Sequence, residues 1–420
     1  MKSLLLFTIL AIPVLAYAGG PRHIDGNTPV RYINPNVVLN FDVGTLGARS
    51  NSVSNDMVLQ SMALWNNVTT ATINLTKGNN LASDIDQTNY QDLLFPAGGS
   101  NSHPSVSDGL IPVVYDTDGQ VIDAFFGPLQ STVIVGVATS IFPIGTGGYI
   151  TGYVLINGKN TVGGVEITDP LLSHTITHEI GHLIGIDHSQ LNITDANKNC
   201  GLNGNQYPVM YPTFCNQPTN ALHLDDAAAV TALYPEQNVV ATFGEINGTL
   251  VDTLGDQWAG VNIIVTNTQT GDVYSVVSDY LKQGTGFFSI LLPAGTYTLQ
   301  ANDIIAEFTG ISSVGPYATN AADTSFSYGG IGFVYAGSTP GSNQLLTVTT
   351  GEAITVSLVS DGSGAFTTGN TMTVVTAAAT GGGAAGGGGG GGGGIVSPAI
   401  LLLMLAGLYR RIFYGPELVK

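Results

Sequence analysis

The sequence is poor in charge, and above all in positive charge. Only 10% of its 420 residues are charged, and 11 Lys and Arg stand against 29 Asp and Glu, which gives a formal net charge of −18. A protein that binds nucleic acid needs a basic surface to face the phosphates. The composition therefore predicts no nucleic-acid partner, and it fits a soluble exported protein.

Cysteine is nearly absent, since the chain has only Cys200 and Cys215. In an exported protein such a pair could close a short loop as a disulfide. Two buried free thiols are the alternative. The N-terminal end argues for export, so the disulfide is favoured.

The N-terminal end has the pattern of a signal peptide. Lys2 precedes the apolar run Leu4–Leu15, and Ala16-Tyr17-Ala18 is a small-x-small cleavage site. The run is too short to span a membrane comfortably as a permanent anchor. We therefore expect residues 1–18 to be removed and the mature protein to begin near Gly19.

The C-terminal end has three parts. A Gly-rich linker covers residues 364–394, and an apolar stretch with Arg410-Arg411 and a short tail covers 395–420. This tail resembles the GlyGly-type C-terminal sorting signals of Gram-negative bacteria. The resemblance implies a temporary membrane anchor that a rhomboid-like protease removes. A permanent single-pass anchor, with the two Arg on the cytoplasmic side, is the alternative.

Between these ends the sequence predicts an α+β protein of two domains, at residues 19–236 and 240–363. In the first, apolar spacing and capping residues predict helices at Asn55–Trp65, Pro170–Ile184 and Asp225–Leu233, and strands at Ile111–Tyr115, Ser131–Ala138 and Tyr149–Ile156. The second consists of short strands between Gly, Asn and Asp turns, a pattern typical of an antiparallel β-sandwich.

The second helix of the first domain carries the motif His178-Glu179-Ile180-Gly181-His182. Residues four apart on a helix share a face, so both imidazoles can reach one metal ion, with Glu179 beside them as a general base. We expect Asp169 to be the N-cap of this helix, with Pro170 in its first turn. A packed core histidine is the alternative for any single His of the set.

The motif continues with Gly185 and His188. A left-handed Gly185 would end the helix and let His188 return as a third ligand. Three His ligands leave a coordination position open, which is typical of a catalytic zinc site. His174 lies too far along the helix axis from His182 to join the same ion, so we expect it to be a packed residue.

These residues resemble a known family. The segment HEIGHLIGIDHS at residues 178–189, the methionine of PVMYP at 208–212, and the paired Asp225-Asp226 of LHLDDAAAVTALYP at 222–235 are similar to the matrixin branch of the metzincin zinc proteases. The resemblance implies a twisted mixed sheet with an active-site helix, above a turn that contains Met210. It does not make Tyr211 a zinc ligand, because that tyrosine directly follows the methionine.

Two departures from the family matter. Both cysteines follow the motif and little precedes the first strand, so a propeptide with a zinc-blocking cysteine is not expected. In the segment DTDGQVIDAFFGP, Asp123 stands where the family has a histidine that binds a structural zinc. Asp116, Asp118 and Asp123 could instead hold calcium, which prefers oxygen ligands. A plain Asp-Gly hairpin turn is the alternative.

The resemblance implies hydrolysis of peptide bonds, with Glu179 as the general base that takes a proton from the attacking water and passes it to the leaving amine. The polypeptide substrate would add as a strand to an edge of the sheet, for which Tyr149–Asn157 is the predicted strand.

Within residues 240–363, the segments GEINGTLVD, AGVNIIVTNTQTGD and FFSILLPAGTYTLQA resemble the carboxypeptidase regulatory-like module. This suggests an alternative function for the chain. An exported surface-binding protein could use that β-domain for its function and keep the metal site only for stability. A third possibility is a self-processing factor whose only substrate is a sister protein. The sequence does not indicate the oligomeric state.

Overall fold

A computed structural model describes residues 20–91, 110–189, 191, 208–211, 221–302, 345–360 and 371–378. Contacts divide the chain into two units, Met1–Ala379 and Thr380–Lys420, and only the first contains described residues. The predicted signal peptide, both cysteines and the C-terminal tail lie outside the described part. Within that part, no helix has the length and apolar character needed to cross a membrane.

The described part is α+β, as predicted. Its α-helices are α1 Asn51–Asn66, α2 Gln120–Phe126, α3 Asp169–Leu183 and α4 Leu224–Leu233, and short 3₁₀ turns occur at Gln130–Thr132 and Val239–Ala241. The strands up to α4 are β1 Ile24–Asp25, β2 Thr28–Pro29, β3 Arg31–Tyr32, β4 Asn36–Phe41, β5 Asn74–Lys77, β6 Pro112–Asp116, β7 Gly136–Ile141, β8 Gly148–Tyr149, β9 Thr151–Asn157, β10 Thr161–Val162 and β11 Val165–Glu166.

The main sheet of the N-terminal part has five strands in the order β5-β4-β6-β9-β7. The pairs β4–β5, β4–β6 and β6–β9 are parallel, and β7 pairs with β9 antiparallel. The sheet is therefore mixed, as the family resemblance implied.

Apolar side chains cover both faces of this sheet. On one face they pack against α1 and α3, where Trp65 is fully buried and its indole Nε1 donates to the Thr177 carbonyl oxygen at 3.0 Å. On the other face, Tyr153 and Leu155 of β9 pack in a separate cluster with Val121 and Ile122 of α2. Burial on both faces explains why the strand sequences are nearly continuous apolar runs.

The C-terminal part contains two four-stranded sheets, in the orders β15-β12-β18-β19 and β14-β13-β16-β17. Their strands are β12 Phe243–Asp252, β13 Asn262–Asn267, β14 Val273–Val277, β15 Phe287–Pro293, β16 Gly295–Asn302, β17 Leu346–Val348, β18 Glu352–Ser360 and β19 Thr371–Ala378. Pairing is antiparallel except for β12 with β18, which is parallel. Buried residues of both sheets belong to the same apolar cluster as the helices of the N-terminal part.

The predicted elements are confirmed with shifts, apart from two errors. The strand predicted at Ser131–Ala138 begins instead at Gly136, because residues 130–132 form a 3₁₀ turn. The Asp-Gly sequence at 118–119 does not form a hairpin. Gly119, at φ 84°, is the N-cap of α2, a helix that the sequence analysis missed.

Candidate metal centre

Helix α3 begins one residue earlier than predicted. Thr168 is the N-cap, without a side-chain capping bond, and Asp169 is the first helical residue. The predicted N-cap at Asp169 is therefore wrong. Its carboxylate instead accepts from Arg49 Nε at 2.6 Å, which ties the start of α3 to the residue just before the N-cap of α1.

The end of α3 has the predicted glycine. Gly185 has φ +97°, which an L side chain rarely adopts. The Ile186 N–H donates to the Gly181 carbonyl oxygen and the Gly185 N–H to that of His182, both at 3.0 Å. These two bonds are those of a Schellman motif, and they turn the chain back towards the helix.

This turn brings His178, His182 and His188 together. One ring nitrogen from each can be chosen so that all lie within 4.8 Å of one another. The Nε2 atoms of His182 and His188 are 3.1 Å apart, and the three ring centroids are 4.6 to 5.2 Å apart. The three histidines could therefore hold one metal ion.

Backbone carbonyls set the tautomer of two of these rings. His178 Nδ1 lies 2.7 Å from the Val209 carbonyl oxygen, and His182 Nδ1 lies 2.9 Å from that of Ile186. A carbonyl oxygen only accepts, so each Nδ1 carries the proton and each Nε2 keeps its lone pair for a ligand. Burial lowers the pKa of both imidazoles well below the usual value, so both rings are neutral. This donor set fits a metal ion.

Glu179 lies beside the cluster and is 7% exposed. Burial raises the pKa of its carboxyl group to about 7, against the opposing effects of the Arg22 charge and the backbone N–H of Ala138. The space that Glu179 occupies depends on Gly136, because a Cβ atom there would lie 2.8 Å from Glu179 Cγ. The carboxylate is thus fixed between α3 and β7.

Met210 packs directly against helix α3. It is 1% exposed, and a Cβ atom on Gly181, between His178 and His182, would lie only 2.2 Å from the Met210 sulfur. The carbonyl oxygen of Met210 accepts from the Ser189 N–H at 2.9 Å. The turn at 208–211 therefore supports both α3 and the segment that follows His188.

Two buried carboxylates at the start of α4 hold that turn in place. Asp226 accepts backbone N–H bonds from Val209 at 2.7 Å and Met210 at 3.1 Å. Asp225 accepts from the Ser189 hydroxyl at 2.6 Å and from the Ser275 N–H of β14 at 2.7 Å. The pair predicted from the family resemblance therefore connects the metal centre with the C-terminal sheets.

The predicted substrate strand is wrong. Residues 151–157 form β9, which is buried at every position and lies between β6 and β7. Among the residues that the structure describes, the edge strands of the sheet are β5 and β7, and β7 is the one that flanks β9. A run as apolar as Tyr149–Ile156 is typical of an internal strand, a signal that the sequence already carried.

The free edge of β7 faces the site. The Asn157 N–H donates to the Val135 carbonyl oxygen at 2.9 Å, so Val137 and Thr139 pair with β9 while the backbone groups of Gly136 and Ala138 point away from it. The Ala138 N–H interacts with the Glu179 carboxylate. An extended peptide on this edge would therefore pass the candidate base.

The sequence analysis missed Arg22. Its backbone N–H donates to the Gly185 carbonyl oxygen at 2.9 Å, and Pro21 forms a bridge with Ile186. This contact places the first described residues against the segment that carries His188. The available signal was the rarity of cations in an acidic chain, which says nothing about position.

The remaining candidates do not join the metal centre. His174 is buried, at 8% exposure, and lies outside the three-His group, in agreement with the prediction of a packed residue. Within the described ranges, Asp116, Asp118 and Asp123 do not converge as a metal group. Asp116 accepts instead from the Ile122 N–H, Asp118 from Gln120 and Asp123 from the Ser131 N–H, so their oxygens stabilise α2 and the turn after it.

Comparison of this chain with protein-family models and with curated proteins found no match.

Proposed function

We propose that this chain is an exported zinc-dependent endopeptidase of the matrixin-like metzincin type. The observation that supports it best is the convergence of three imidazoles, two of them neutral with the lone pair on Nε2, beside a buried glutamate. A site kept only for stability has no need of a carboxyl group at that position.

Zinc is the ion that suits the donor set. Imidazole nitrogen is among its preferred ligands, and three protein ligands with an open position are typical of catalytic rather than structural zinc. His178, His182 and His188 would hold it. When bound, zinc supplies a Lewis acid that acidifies water and polarises a carbonyl group.

Glu179 would be the general base. It takes a proton from the attacking water and later passes it to the leaving amine. Gly136 leaves room for its side chain, and the Ala138 N–H helps to hold the carboxylate at the edge of β7. The substrate would bind as an extra strand on that edge, antiparallel or parallel to β7.

The two C-terminal sheets belong to the same proposal. We assign them to a β-sandwich of the carboxypeptidase regulatory-like kind, which would bind a surface or a second protein. Residues 1–18 would direct export, and residues 395–420 would attach the protein to a membrane, transiently or permanently. The Asp225 contacts would couple the sandwich to the protease site.

The test is cleavage of an unfolded protein mixture by the purified full chain, with and without a zinc chelator. Glu179→Gln should abolish cleavage while one equivalent of zinc remains bound. Glu166→Gln, which changes an exposed glutamate of β11, is the matched control and should cleave normally.

Wild-type rates in Glu179→Gln would rule out Glu179 as the base. One bound zinc without any cleavage by the wild type would favour the exported binding protein instead.

A further inference from the structure

A groove of about 460 Å³ runs along the edge strand β7. Its wall contains residues 137–141 of β7 and four aromatic side chains, and Arg22 is the one charged residue that lines it within the described part of the chain. The aromatic residues are Phe125, Phe126, Phe142 and Tyr153. A single cation among aromatic side chains indicates an anionic ligand, because opposite charges attract more strongly beside apolar groups than in bulk water.

The Arg22 side chain has an unused donor. Its Nη1 atom is buried and has no hydrogen-bond partner. A buried guanidinium nitrogen without a partner is costly, and a carboxylate oxygen is the acceptor that matches its geometry best. Glu179 does not fill this role, since the described ion pairs include none between the two residues.

Arg22 also lies close to the reacting centre. Its backbone is bonded to Gly185, three residues before His188. The groove and the metal centre meet at Ala138, which lines the groove and whose N–H contacts Glu179. A peptide on the β7 edge would therefore pass both.

We propose that Arg22 binds a carboxylate of the substrate, so that the site selects peptides with a free carboxylate close to the scissile bond. This rests on the proposed peptidase function and names its substrate class. The carboxylate can come from the C-terminus of the peptide or from an Asp or Glu side chain. The guanidinium offers two parallel donors for it, which a lysine would not.

The test compares peptides that differ only in the carboxylate. One sequence is prepared as the C-terminal acid, as the C-terminal amide, and with Glu exchanged for Gln at each position in turn. The full chain is measured as wild type, Arg22→Gln, Arg22→Lys and Lys77→Gln. Lys77 is an exposed cation of β5, so its variant controls for the loss of one charge.

We expect Arg22→Gln to raise the KM of carboxylate peptides at least about tenfold, as for a lost charged hydrogen bond, and to leave the amide or Gln peptides unchanged. For the same peptides, the KM of Arg22→Lys should lie between those of the wild type and Arg22→Gln, and the KM of Lys77→Gln should equal that of the wild type. One change in the peptide, either amide for acid or Gln for one Glu, should remove the difference between wild type and Arg22→Gln. That change identifies the C-terminus or a side chain as the source of the carboxylate.

A second readout needs no catalysis. Calorimetry measures the binding of N-acetyl-leucyl-phenylalanine and of its amide to the zinc-loaded Glu179→Gln protein, with and without Arg22→Gln. If the acid binds more tightly than the amide and this difference depends on Arg22, the assignment of Arg22 is supported even without cleavage. A lack of cleavage would then contradict only the peptidase function. The assignment of Arg22 would be overturned if the wild type bound acid and amide with equal affinity. It would also be overturned if Arg22→Gln weakened the binding of both equally.

Discussion

His178 Nδ1 lies 2.7 Å from the carbonyl oxygen of Val209, and the N–H of the same Val209 donates to Asp226. One peptide segment thus connects a candidate metal ligand with a buried carboxylate of α4. A partner that fixes the orientation and tautomer of a ligating histidine affects metal affinity without touching the metal.

Asp226→Asn should therefore weaken metal binding. Asp226 accepts three backbone N–H bonds, from Val209, Met210 and His223, on its two carboxylate oxygens. Asparagine has an NH2 group in place of one of these oxygens, and that group donates rather than accepts. We expect a loss of about 10- to 100-fold in zinc affinity, measured by competition with a chelator. Asp256→Asn, in an exposed turn, is the control, and equal affinities in the two variants would contradict this role.

Metal removal should destabilise the protein. A ligand that binds only the folded state stabilises it by about 2.7 kcal/mol at one hundred times its Kd. Zinc should thus raise the unfolding midpoint of chelator-treated wild type. His188→Ala should lose this response, whereas His174→Ala, on the same helix as two of the ligands but outside the group, should keep it. A zinc-dependent rise in His188→Ala as large as that of the wild type would exclude His188 as a ligand.

The local part of this site could be predicted from the sequence. Helix α3, the left-handed Gly185 and the return of His188 depend on residues within one short segment, whose spacing and backbone preferences are directly readable. The Met210 turn and the Asp225-Asp226 pair could be predicted through the family resemblance. Their hydrogen bonds to Val209 and Ser189 could not.

The non-local part could not be predicted. The position of a strand at the edge of the sheet depends on long-range pairing, here of β7 with β9, and on which elements pack against each face. The alternation of buried and partly buried residues in β7 is too weak to indicate this position. Arg22 approaches the site through backbone pairing with Gly185, and no periodicity in the sequence marks such a contact. Helix α2 was missed because an Asp-Gly pair predicts a turn, and Gly119 caps a helix instead.

Gly136→Ala should reduce catalysis more than metal binding. The added Cβ would lie 2.8 Å from Glu179 Cγ and 2.9 Å from Thr175 Cγ2, so the candidate base must move. A displacement of about 1 Å costs about 100-fold in rate. We expect kcat to fall by roughly 10- to 100-fold with full zinc content. Thr161→Ala, at the exposed position of β10, is the control, and an unchanged kcat in Gly136→Ala would show that Glu179 is not held by β7.

His223 gives a pH-dependent prediction. It is the N-cap of α4, and its Nδ1 accepts from the Asp225 N–H at 3.0 Å, which requires the neutral ring. Burial lowers the pKa of the imidazole from 6.5 to about 4, against an opposing effect of Asp272. Between these values the unfolded chain binds the proton more readily than the folded chain. The stabilisation by His223 is therefore complete above pH 6.5 and is lost as the pH falls towards 4.

His223→Asn isolates this contribution, because asparagine is a good N-cap that does not titrate. Asp225 and Asp226 also titrate between pH 5 and 7.5, and Asp226 keeps its bond from the backbone N–H of residue 223 in both proteins, so their contribution largely cancels in the difference. Relative to the variant, the wild type should lose about 1–2 kcal/mol of unfolding free energy between pH 7.5 and pH 5. Urea denaturation of both proteins at the two values measures it. A difference that stays constant with pH would mean that the imidazole is not held neutral at the start of α4.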